Sequence, residues 1–317
     1  MKYQYSIGID LGGTKVASAL VRSDGKIISY LKDSVLEIKS IQEARLSQKK
    51  MIQLMVSHCQ KHLDKNSRLV TSHKLKGIGL ASAGPLNVKS GELIYPSNFP
   101  NWKKFPIVAD LKKELKAQNL TSKVFFQNDA VASALAEGWT GGAKNLNSYA
   151  VITIGTGIGT GVIFNQKPVQ SEGMGSEFGH LIVSQFDNSS FYKKTVEGLA
   201  SGTALVKRAN EEFNFKCTQV EDIILALKTR PDLKALFNDM SISLAALCYN
   251  LSIGFHLEKI LFSGGLSKVN SLYLPKTRII YKENINLFNK SFLTSLSLAK
   301  TGNKSGVIGS ARLPYLS

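Results

Sequence analysis

The chain has 317 residues, of which 43% are hydrophobic and only 8 are proline, so it can bury a sizeable core and form two domains. Its 40 Lys and Arg residues against 23 Asp and Glu residues give a formal net charge of +17, but they occur as scattered pairs rather than as the dense run of a nucleic-acid-binding surface. No stretch approaches the roughly 20 apolar residues of a membrane span and no apolar signal segment precedes the first strand, so we expect a cytoplasmic protein without nucleic-acid or membrane partners.

The first predicted element is a β-rich run at residues 5–21, which is interrupted by the turn Asp-Leu-Gly-Gly-Thr-Lys at 10–15. A turn signal at Asp24–Gly25 and a further apolar run follow it. Residues 148–164 repeat this design with the turn Gly-Thr-Gly-Ile-Gly-Thr-Gly at 155–161. A repeat about half a chain apart predicts two similar domains that face each other across a cleft.

Helices and strands alternate along the rest of the chain. Apolar residues such as Met51 and Met55 recur at helical spacing, and the strand before Asn128 and Asp129 ends at these polar residues. The predicted helices lie at about 41–63, 108–116, 130–137 and 241–256, and the predicted strands at 75–81, 123–127 and 259–263. This alternation predicts α/β domains with sites at the carboxyl ends of the strands.

The first glycine turn has the composition of a phosphate-binding cradle. Gly12 and Gly13 have no Cβ, so their backbone N–H groups can approach phosphate oxygens, while Thr14 adds a hydroxyl donor and Lys15 a positive charge. Asp10, at the end of the strand, is placed to hold Mg²⁺ directly or through water. One such turn could be an ordinary tight hairpin. Two related turns half a chain apart favour the phosphate-binding interpretation.

Five short motifs, in this order along the chain, resemble those of the ROK family of sugar kinases and repressors, and the resemblance runs nearly from end to end. They are similar to the first phosphate motif, the catalytic Asn-Asp pair, the second phosphate motif, the Glu-x-Gly-His sugar signature and the adenosine motif of that family. The corresponding segments are 10–15, 128–130, 154–159, 177–180 and 264–265. The resemblance implies an α/β fold of two actin-like, ribonuclease H-like domains with a cleft between them.

The resemblance also implies how ATP is bound. Both glycine turns would hold its phosphates, and the glycines of the adenosine motif would let the purine lie against the backbone. The implied ATP-binding residues are Asp10, Gly12, Gly13, Thr14, Lys15, Gly155, Thr156, Gly157, Gly159, Gly264 and Gly265. The expected cofactors are therefore ATP and Mg²⁺.

The pair Asn128 and Asp129 is the candidate catalytic element. Phosphoryl transfer to a hydroxyl needs positioning, charge neutralisation and a group that takes the hydroxyl proton. Asp129 ends a strand and begins a helix, so its carboxylate can take that proton, while Asn128 can hydrogen-bond a second hydroxyl of the sugar. The alternative is that Asp129 only caps the helix 130–137. The flanking phosphate motifs favour the role of base.

A neutral sugar has many hydroxyls and no charge, so its site needs carboxylates, amides and imidazoles as donors and acceptors. Family resemblance implies such groups on both sides of the second glycine turn, and a glycine beside Pro85 that lets the backbone approach the ligand. The implied substrate-binding residues are Gly84, Asn98, Asn128, Asp129, Glu177, His180 and Glu197. Asn98, Glu177, His180 and Glu197 could each instead be a surface residue. His180 is better supported, because Gly179 beside it and Glu177 three positions before it form a compact polar turn.

The sequence departs from the family at one point. Many members hold zinc with the His of the sugar signature and three cysteines shortly before the sugar-binding Glu. The interval 181–196 contains no cysteine, and Cys59, Cys217 and Cys248 lie far apart without C-x-x-C spacing. We therefore expect reduced thiols, no structural zinc, and a loop at 185–194 that is ordered by other contacts.

Together these features predict an ATP-dependent hexose kinase that transfers the γ-phosphate to the 6-hydroxyl of glucose. A kinase for fructose, mannose or an N-acetylhexosamine is the nearest alternative, because few side chains open or close an acetamido pocket. A sugar-responsive transcriptional regulator is disfavoured, since the first phosphate motif begins at residue 10 and leaves no room for a DNA-binding domain before it. An actin-like ATPase acting on protein partners would leave the segment 177–180 without a purpose.

The run at 305–312 resembles the last helix of the family, which crosses back to the N-terminal domain. We therefore place a small N-terminal domain at 1–127 plus 303–317 and a larger C-terminal domain at 128–302. The resemblance also implies a homo-oligomer, usually a dimer.

Overall fold

The structure is a computed structural model that describes residues 3–70, 74–171, 177–184 and 190–316. The chain divides into two compact units. The first comprises Met1–Asn145, Val169–Gly175 and Lys300–Ser317, and the second comprises Leu146–Pro168 and Ser176–Ala299. The domain boundary placed at residue 127 lies inside the first unit, and the domain limits drawn from the sequence stay a prediction.

The first unit begins with three strands, as the turns at 10–15 and 24–25 predict. Its elements up to residue 145 are β1 (Tyr5–Leu11), β2 (Lys15–Arg22), β3 (Ile27–Ser34), α1 (Leu36–Ser40), α2 (Ala44–Lys65), β4 (Leu75–Ser82), β5 (Leu86–Asn87), β6 (Glu92–Ile94), β7 (Lys104–Phe105), α3 (Ile107–Ala117), β8 (Val124–Asn128) and α4 (Asp129–Thr140). The main sheet has the order β3-β2-β1-β4-β8, and β5, β6 and β7 form a small second sheet.

Three strands of the main sheet run in the same direction, because β4 pairs in parallel with both β1 and β8. Leu11 lies opposite Ser82, and Ser82 lies opposite Asn128. The carboxyl ends of the three strands therefore meet at one edge of the sheet. This edge positions Asp10 and Asp129, which adjoin the ends of β1 and β8.

The core of the first unit forms where α2 and α3 cover the sheet. β1 contributes Ile7 and Ile9, and α2 contributes the buried side chains Met51, Met55 and Cys59. The helical spacing of apolar residues in the sequence thus marks the face of α2 that packs on the core. The burial of these side chains supplies the main stabilising free energy of the unit.

The second unit repeats the strand–turn–strand start of the first unit. Its elements are β9 (Tyr149–Ile154), β10 (Ile158–Phe164), β11 (Lys167–Pro168), α5 (Val196–Ala200), α6 (Gly202–Glu212), α7 (Val220–Ala226), α8 (Lys234–Phe255), β12 (Lys259–Ser263), α9 (Leu274–Phe288) and β13 (Ser295–Leu298). The sheet order is β11-β10-β9-β12-β13, with β12 parallel to β9 and to β13. Helix α8 begins before the predicted residue 241, because Leu236 and Phe237 extend its buried face.

The chain then returns to the first unit as α10 (Ser305–Arg312), at the residues where a last helix was predicted. The carboxylate of Glu137 in α4 is buried and fixes this returning segment. It accepts hydrogen bonds from the amides of Gly142 at 2.6 Å, Lys300 at 2.9 Å and Thr301 at 2.7 Å. Glu137 thereby joins the segment before Asn145, where the chain leaves the first unit, to the segment from Lys300, where the chain returns.

No helix within the described ranges has the length and apolar character needed to cross a bilayer. The three cysteines are free thiols, with Cys59 and Cys248 buried and Cys217 half-buried. Burial raises the pKa of Cys59 to about 12, so this thiol stays protonated and unreactive at neutral pH.

Candidate active site

The first glycine turn joins β1 to β2 and is closed by one backbone hydrogen bond. The amide of Gly12 donates to the carbonyl of Lys15 at 3.0 Å, and the carbonyl of Thr14 accepts from Val35 at 3.1 Å. No described residue accepts a hydrogen bond from the amides of Gly13 or Thr14, and Thr14 is exposed. The turn therefore offers two amide donors, a hydroxyl and the charge of Lys15 to an anionic ligand.

Asp10 lies at the end of β1, beside this turn. Burial, together with repulsion from Asp129, raises the pKa of Asp10 to about 7, while the charge of Lys15 opposes the shift. A cation bound near the carboxylates of Asp10 and Asp129 would offset both the burial of Asp10 and the repulsion between the two groups. The described residues contain no group of three or more His, Cys, Asp or Glu side chains that could hold a metal ion. A cation here would take its other ligands from phosphate or water, as Mg²⁺ commonly does.

Asn128 and Asp129 take different positions at the start of α4. Asn128 is the N-cap, and its Oδ1 accepts from the amides of Ala130 at 2.9 Å and Val131 at 3.3 Å. Asp129 is the first helical residue, and its Oδ1 accepts from Ala130 at 2.8 Å. Burial raises the pKa of the Asp129 carboxyl, which makes it a stronger base. The capping role considered for Asp129 thus falls mainly to Asn128, while Asp129 keeps an oxygen for other partners.

Two further predicted residues lie in loops of the first unit. Asn98 lies against the first glycine turn, since a Cβ on Gly13 would come within 2.7 Å of its Oδ1. The loop of Asn98 is anchored by the stacked rings of Phe99 and Trp102, whose centroids are 4.1 Å apart. Gly84 follows the end of β4, at the sheet edge that also carries Asp10 and Asp129. The first unit therefore brings its predicted residues to one edge of its main sheet.

The second glycine turn joins β9 to β10 and is held from outside as well as from within. The amide of Gly155 donates to the carbonyl of Gly157 at 2.9 Å. The first amides of α6 donate to the turn, from Gly202 to the carbonyl of Gly155 at 2.8 Å and from Thr203 to that of Thr156 at 3.2 Å. No described residue accepts a hydrogen bond from the amides of Thr156 or Gly157. The turn presents these two amides much as the first turn presents its own.

The predicted adenosine motif follows β12, the neighbour of β9. Gly264 has φ of +92°, which favours glycine, and any Cβ there would clash with the backbone of Ile154. Gly265 begins a short helix, and a Cβ at this position would meet open space. Gly159 lies in β10. Gly264 therefore packs against the backbone of Ile154, the last residue of β9 before the second glycine turn.

The sugar signature forms a short helix at Phe178–His180, and Glu177 and His180 are exposed. The amide of Phe178 donates to Thr160 Oγ1 at 3.1 Å, and buried Gly179 packs against the carbonyl of Ile158. The part of the predicted loop at 185–189 lies outside the described residues. Its flanks are joined by hydrogen bonds from Val183 to Lys194 at 2.9 Å and from Val196 to Leu181 at 3.0 Å.

Glu197 lies on the second glycine turn, a contact that the sequence did not indicate. Its Oε2 accepts from the amide of Ile158 at 2.8 Å, and its Oε1 accepts from the hydroxyl of Tyr192 at 3.3 Å. Tyr192 was not among the predicted site residues. The sequence does not predict either contact. Ile158 is 39 residues away from Glu197, and no motif singles out Tyr192.

Comparisons with known proteins identify the family of the chain. The model of the ROK family matches residues 6–315. A glucokinase from Streptomyces coelicolor is 26% identical over 328 residues, which cover 97% of this chain and 96% of the relative. An N-acetylmannosamine kinase from Pasteurella multocida is 24% identical and covers 96% of this chain and 94% of the relative.

Solved structures share the fold over nearly the whole chain. A ROK hexokinase from Thermus thermophilus superposes with a TM-score of 0.82 at 24% identity, covering 99% of this chain and 98% of its own. A ROK glucokinase from Streptomyces griseus, in complex with glucose and AMPPNP, has a TM-score of 0.72 at 23% identity and covers 99% and 100% of the two chains. The two five-stranded mixed sheets are those of actin-like domains. The family match spans all five motifs, so the chain belongs to the ROK family and is a sugar kinase, a phosphotransferase with an alcohol group as acceptor.

Proposed function

We propose that this sugar kinase transfers the γ-phosphate of ATP to the 6-hydroxyl of an aldohexose, with glucose as the first candidate. The observation that carries the proposal is the half-buried carboxylate of Asp129, which lies at the sheet edge beside Asp10 and the first glycine turn. A base at this position would receive the proton of the attacking hydroxyl, and its raised pKa suits that task.

The nucleotide would be held by backbone donors rather than by a dedicated set of cations. The amides of Gly13, Thr14, Thr156 and Gly157 are the donors that we assign to phosphate oxygens, and Lys15 adds a compensating charge. Gly264 and Gly265 are assigned to the adenosine. Asp10 would hold Mg²⁺ directly or through water, and a bound Mg²⁺ would neutralise charge on the phosphates. Ionised Asp10 is stabilised by such a cation, which lowers its pKa again.

The sugar would be bound by Asn98, Asn128, Glu177, His180 and Glu197, with Gly84 giving room to the ligand. Because Asn128 uses only Oδ1 for the cap, its Nδ2 can donate to a sugar oxygen. N-acetylmannosamine is the second candidate, since a kinase named for it is almost as similar to this chain as the glucokinase is. Fructose and mannose remain further alternatives. A cytoplasmic homodimer stays a prediction from the family resemblance.

The decisive experiment is an ADP-release assay over a panel of hexoses and N-acetylhexosamines, with Asp129→Asn measured alongside the unmodified enzyme. We expect kcat to fall about 10²- to 10⁴-fold in the variant because a positioned base is removed, while the sugar Kd changes little. Asp64→Asn, on the exposed side of α2, is the matched control and should keep full turnover. Retained turnover in Asp129→Asn would exclude its role as base. Turnover with none of the sugars would exclude a hexose or N-acetylhexosamine as the acceptor.

A further inference from the structure

The carboxylate of Glu197 uses both of its oxygens within the second unit. Oε2 accepts from the amide of Ile158, directly after the turn, and Oε1 accepts from Tyr192. We propose that Glu197 is a positioning residue for the nucleotide, fixing the second glycine turn in its phosphate-binding shape whether or not a sugar is bound. This inference rests on the proposed function and adds a role that is separate from sugar binding.

The turn is built around this carboxylate. A Cβ on Gly157 would lie 2.6 Å from Oε2, so only glycine leaves room for the side chain of Glu197 to reach the amide of Ile158. The backbone of Glu197 is fixed as well, because Thr195 caps α5 and its Oγ1 accepts from Gly198 at 3.0 Å. The position of the carboxylate is thus set by the start of α5.

The same chain segment holds the other side of the turn. The amides of Gly202 and Thr203 bind the carbonyls of Gly155 and Thr156, while Glu197 binds the amide of Ile158. Hydrogen bonds from the amides of α6 and to the carboxylate in α5 therefore fix both ends of the turn. The amides of Thr156 and Gly157, which we assign to phosphate, lie between these hydrogen bonds.

Loss of the Glu197 carboxylate would leave a buried amide without a partner, since Ile158 is only 3% exposed. An unsatisfied buried donor destabilises the conformation that leaves it unpaired, so the turn would relax toward another shape. A nucleotide would then have to restore the original shape on binding, which weakens its apparent affinity. A side chain that served only the sugar would leave nucleotide affinity unchanged when sugar is absent.

The test measures the Kd of AMPPNP by calorimetry without any sugar, and the Kd of glucose without nucleotide. For Glu197→Ala we expect the AMPPNP Kd to rise about tenfold, the equivalent of one lost buried hydrogen bond. For Glu197→Gln we expect less than about threefold, because the amide oxygen can still accept from Ile158. An unchanged AMPPNP Kd in Glu197→Ala, with weaker glucose binding, would overturn the proposal and leave Glu197 as a sugar ligand only.

A double-mutant cycle separates the contact from other effects of the substitutions. Gly157→Ala should weaken AMPPNP binding strongly in the unmodified protein but less in the Glu197→Ala background, where the clash is gone. Gly254→Ala, in α8 with open space around the added methyl group, should change neither Kd. Additive effects in the cycle would contradict the proposed contact.

Hydrogen exchange at the Ile158 amide gives a readout that needs no ligand. Protection should be lost in Glu197→Ala and largely kept in Glu197→Gln. If the unmodified protein binds no AMPPNP, the proposed function fails and the positioning role fails with it. If it binds AMPPNP and the Ile158 amide is equally protected in all variants, only the present inference fails.

Discussion

Two buried histidines of α2 share one serine hydroxyl in the first unit. Ser18 Oγ lies 2.8 Å from His58 Nδ1 and 2.9 Å from His62 Nε2. Ser29 binds the other nitrogen of His62 at 2.7 Å, and His58 Nε2 contacts Asp33 at 2.7 Å. Burial lowers the pKa of His62 to about 4, and the neighbouring His58 adds to the shift. His62 is therefore neutral at physiological pH.

This network predicts an acid-sensitive first unit. The folded pKa of His62 is about 4 and lies below its ordinary value of 6.5, so the unfolded chain binds the proton more tightly. The contribution of neutral His62 to the unfolding free energy is complete above about pH 6.5 and is lost as the pH falls toward 4. We expect the unfolding free energy to drop by about 2–3 kcal/mol over this range. Urea denaturation followed by the fluorescence of Trp102 and Trp139 measures it, since both tryptophans lie in the first unit.

The His62→Gln variant isolates this group from other titrating residues. Glutamine keeps one donor and one acceptor toward Ser18 and Ser29 but does not titrate, so the difference between variant and unmodified protein should vary with pH. His256→Asn, at an exposed position of the second unit, is the matched control and should leave the pH profile unchanged. A constant difference between His62→Gln and the unmodified protein from pH 7 to pH 4.5 would refute the assignment.

Individual site residues differ in how far the sequence determines them. The positions of Asp10 and Asn128 at strand ends could be predicted, because apolar runs end there and parallel strands share one edge. The sequence could not show that Asn128 rather than Asp129 is the cap, because both residue types suit an N-cap. The cap is Asn128 because α4 begins at Asp129, a helix start that the sequence does not fix to the residue. The contact of Glu197 with Ile158 depends on the path of the whole chain between them.

Glycines govern how closely elements pack in the first unit. Helix α10 approaches β1 and β4 where Gly8 and Gly79 expose the sheet backbone, since a Cβ at either would clash with carbonyls of the helix. On the other side of α10, Gly309 lies directly against the carbonyl of Ala132 in α4. A backbone contact of this kind cannot yield to a larger side chain without moving a whole helix.

The substitution Gly309→Ala is therefore expected to destabilise the first unit despite the higher helix propensity of alanine. Overpacking against a backbone carbonyl costs about 1–3 kcal/mol or more, which outweighs the roughly 1 kcal/mol that alanine contributes in a helix. Gly254→Ala in α8 meets no atom within 4 Å and should stabilise the second unit instead. Thermal unfolding of both variants tests this contrast. An equal gain in Tm for the two would show that α10 is free to shift.

Long elements were easier to predict than short ones. Helices α2, α3 and α4 and the strands β4, β8 and β12 occur within a few residues of their predicted limits, because each carries enough apolar residues to show its period. Strands β5, β6 and β7 have only two or three residues each, which is too short to show an alternating pattern of apolar residues. Their position depends on tertiary contacts instead, such as that of Phe105 in β7 with Trp102, whose ring centroids are 5.0 Å apart.

The whole molecule contains one design twice. Each unit has a five-stranded mixed sheet in which the first strand of the unit is central, pairs with its antiparallel neighbour across a glycine turn, and pairs in parallel on its other side. The internal sequence repeat predicted this, because both turns interrupt similar β-rich runs. The similarity extends to two amides in each turn that donate to no residue in the described part of the chain. We assign the two turns to one anionic ligand class for this reason.

The net charge of +17 should distinguish the two substrates of such a kinase. ATP is an anion and the sugar is neutral, so the field of the protein attracts only ATP. Raising the salt concentration from 50 to 500 mM shortens the distance over which charges interact to a few ångströms. We expect kcat/KM for ATP to fall about threefold or more, and kcat/KM for the sugar at saturating ATP to stay nearly constant.

Steady-state kinetics at a fixed excess of Mg²⁺ measure both parameters in the same salt series. A parallel series in glycerol, matched for viscosity, controls for slower diffusion without changing ionic strength and without adding a saccharide. Because the sugar passes through the same solvent to the same enzyme, a loss that is equal for both substrates would mean that salt alters the protein itself. That outcome would exclude long-range attraction of ATP as the consequence of the basic composition. A selective loss for ATP would instead tie the charge of the whole chain to capture of the phosphoryl donor.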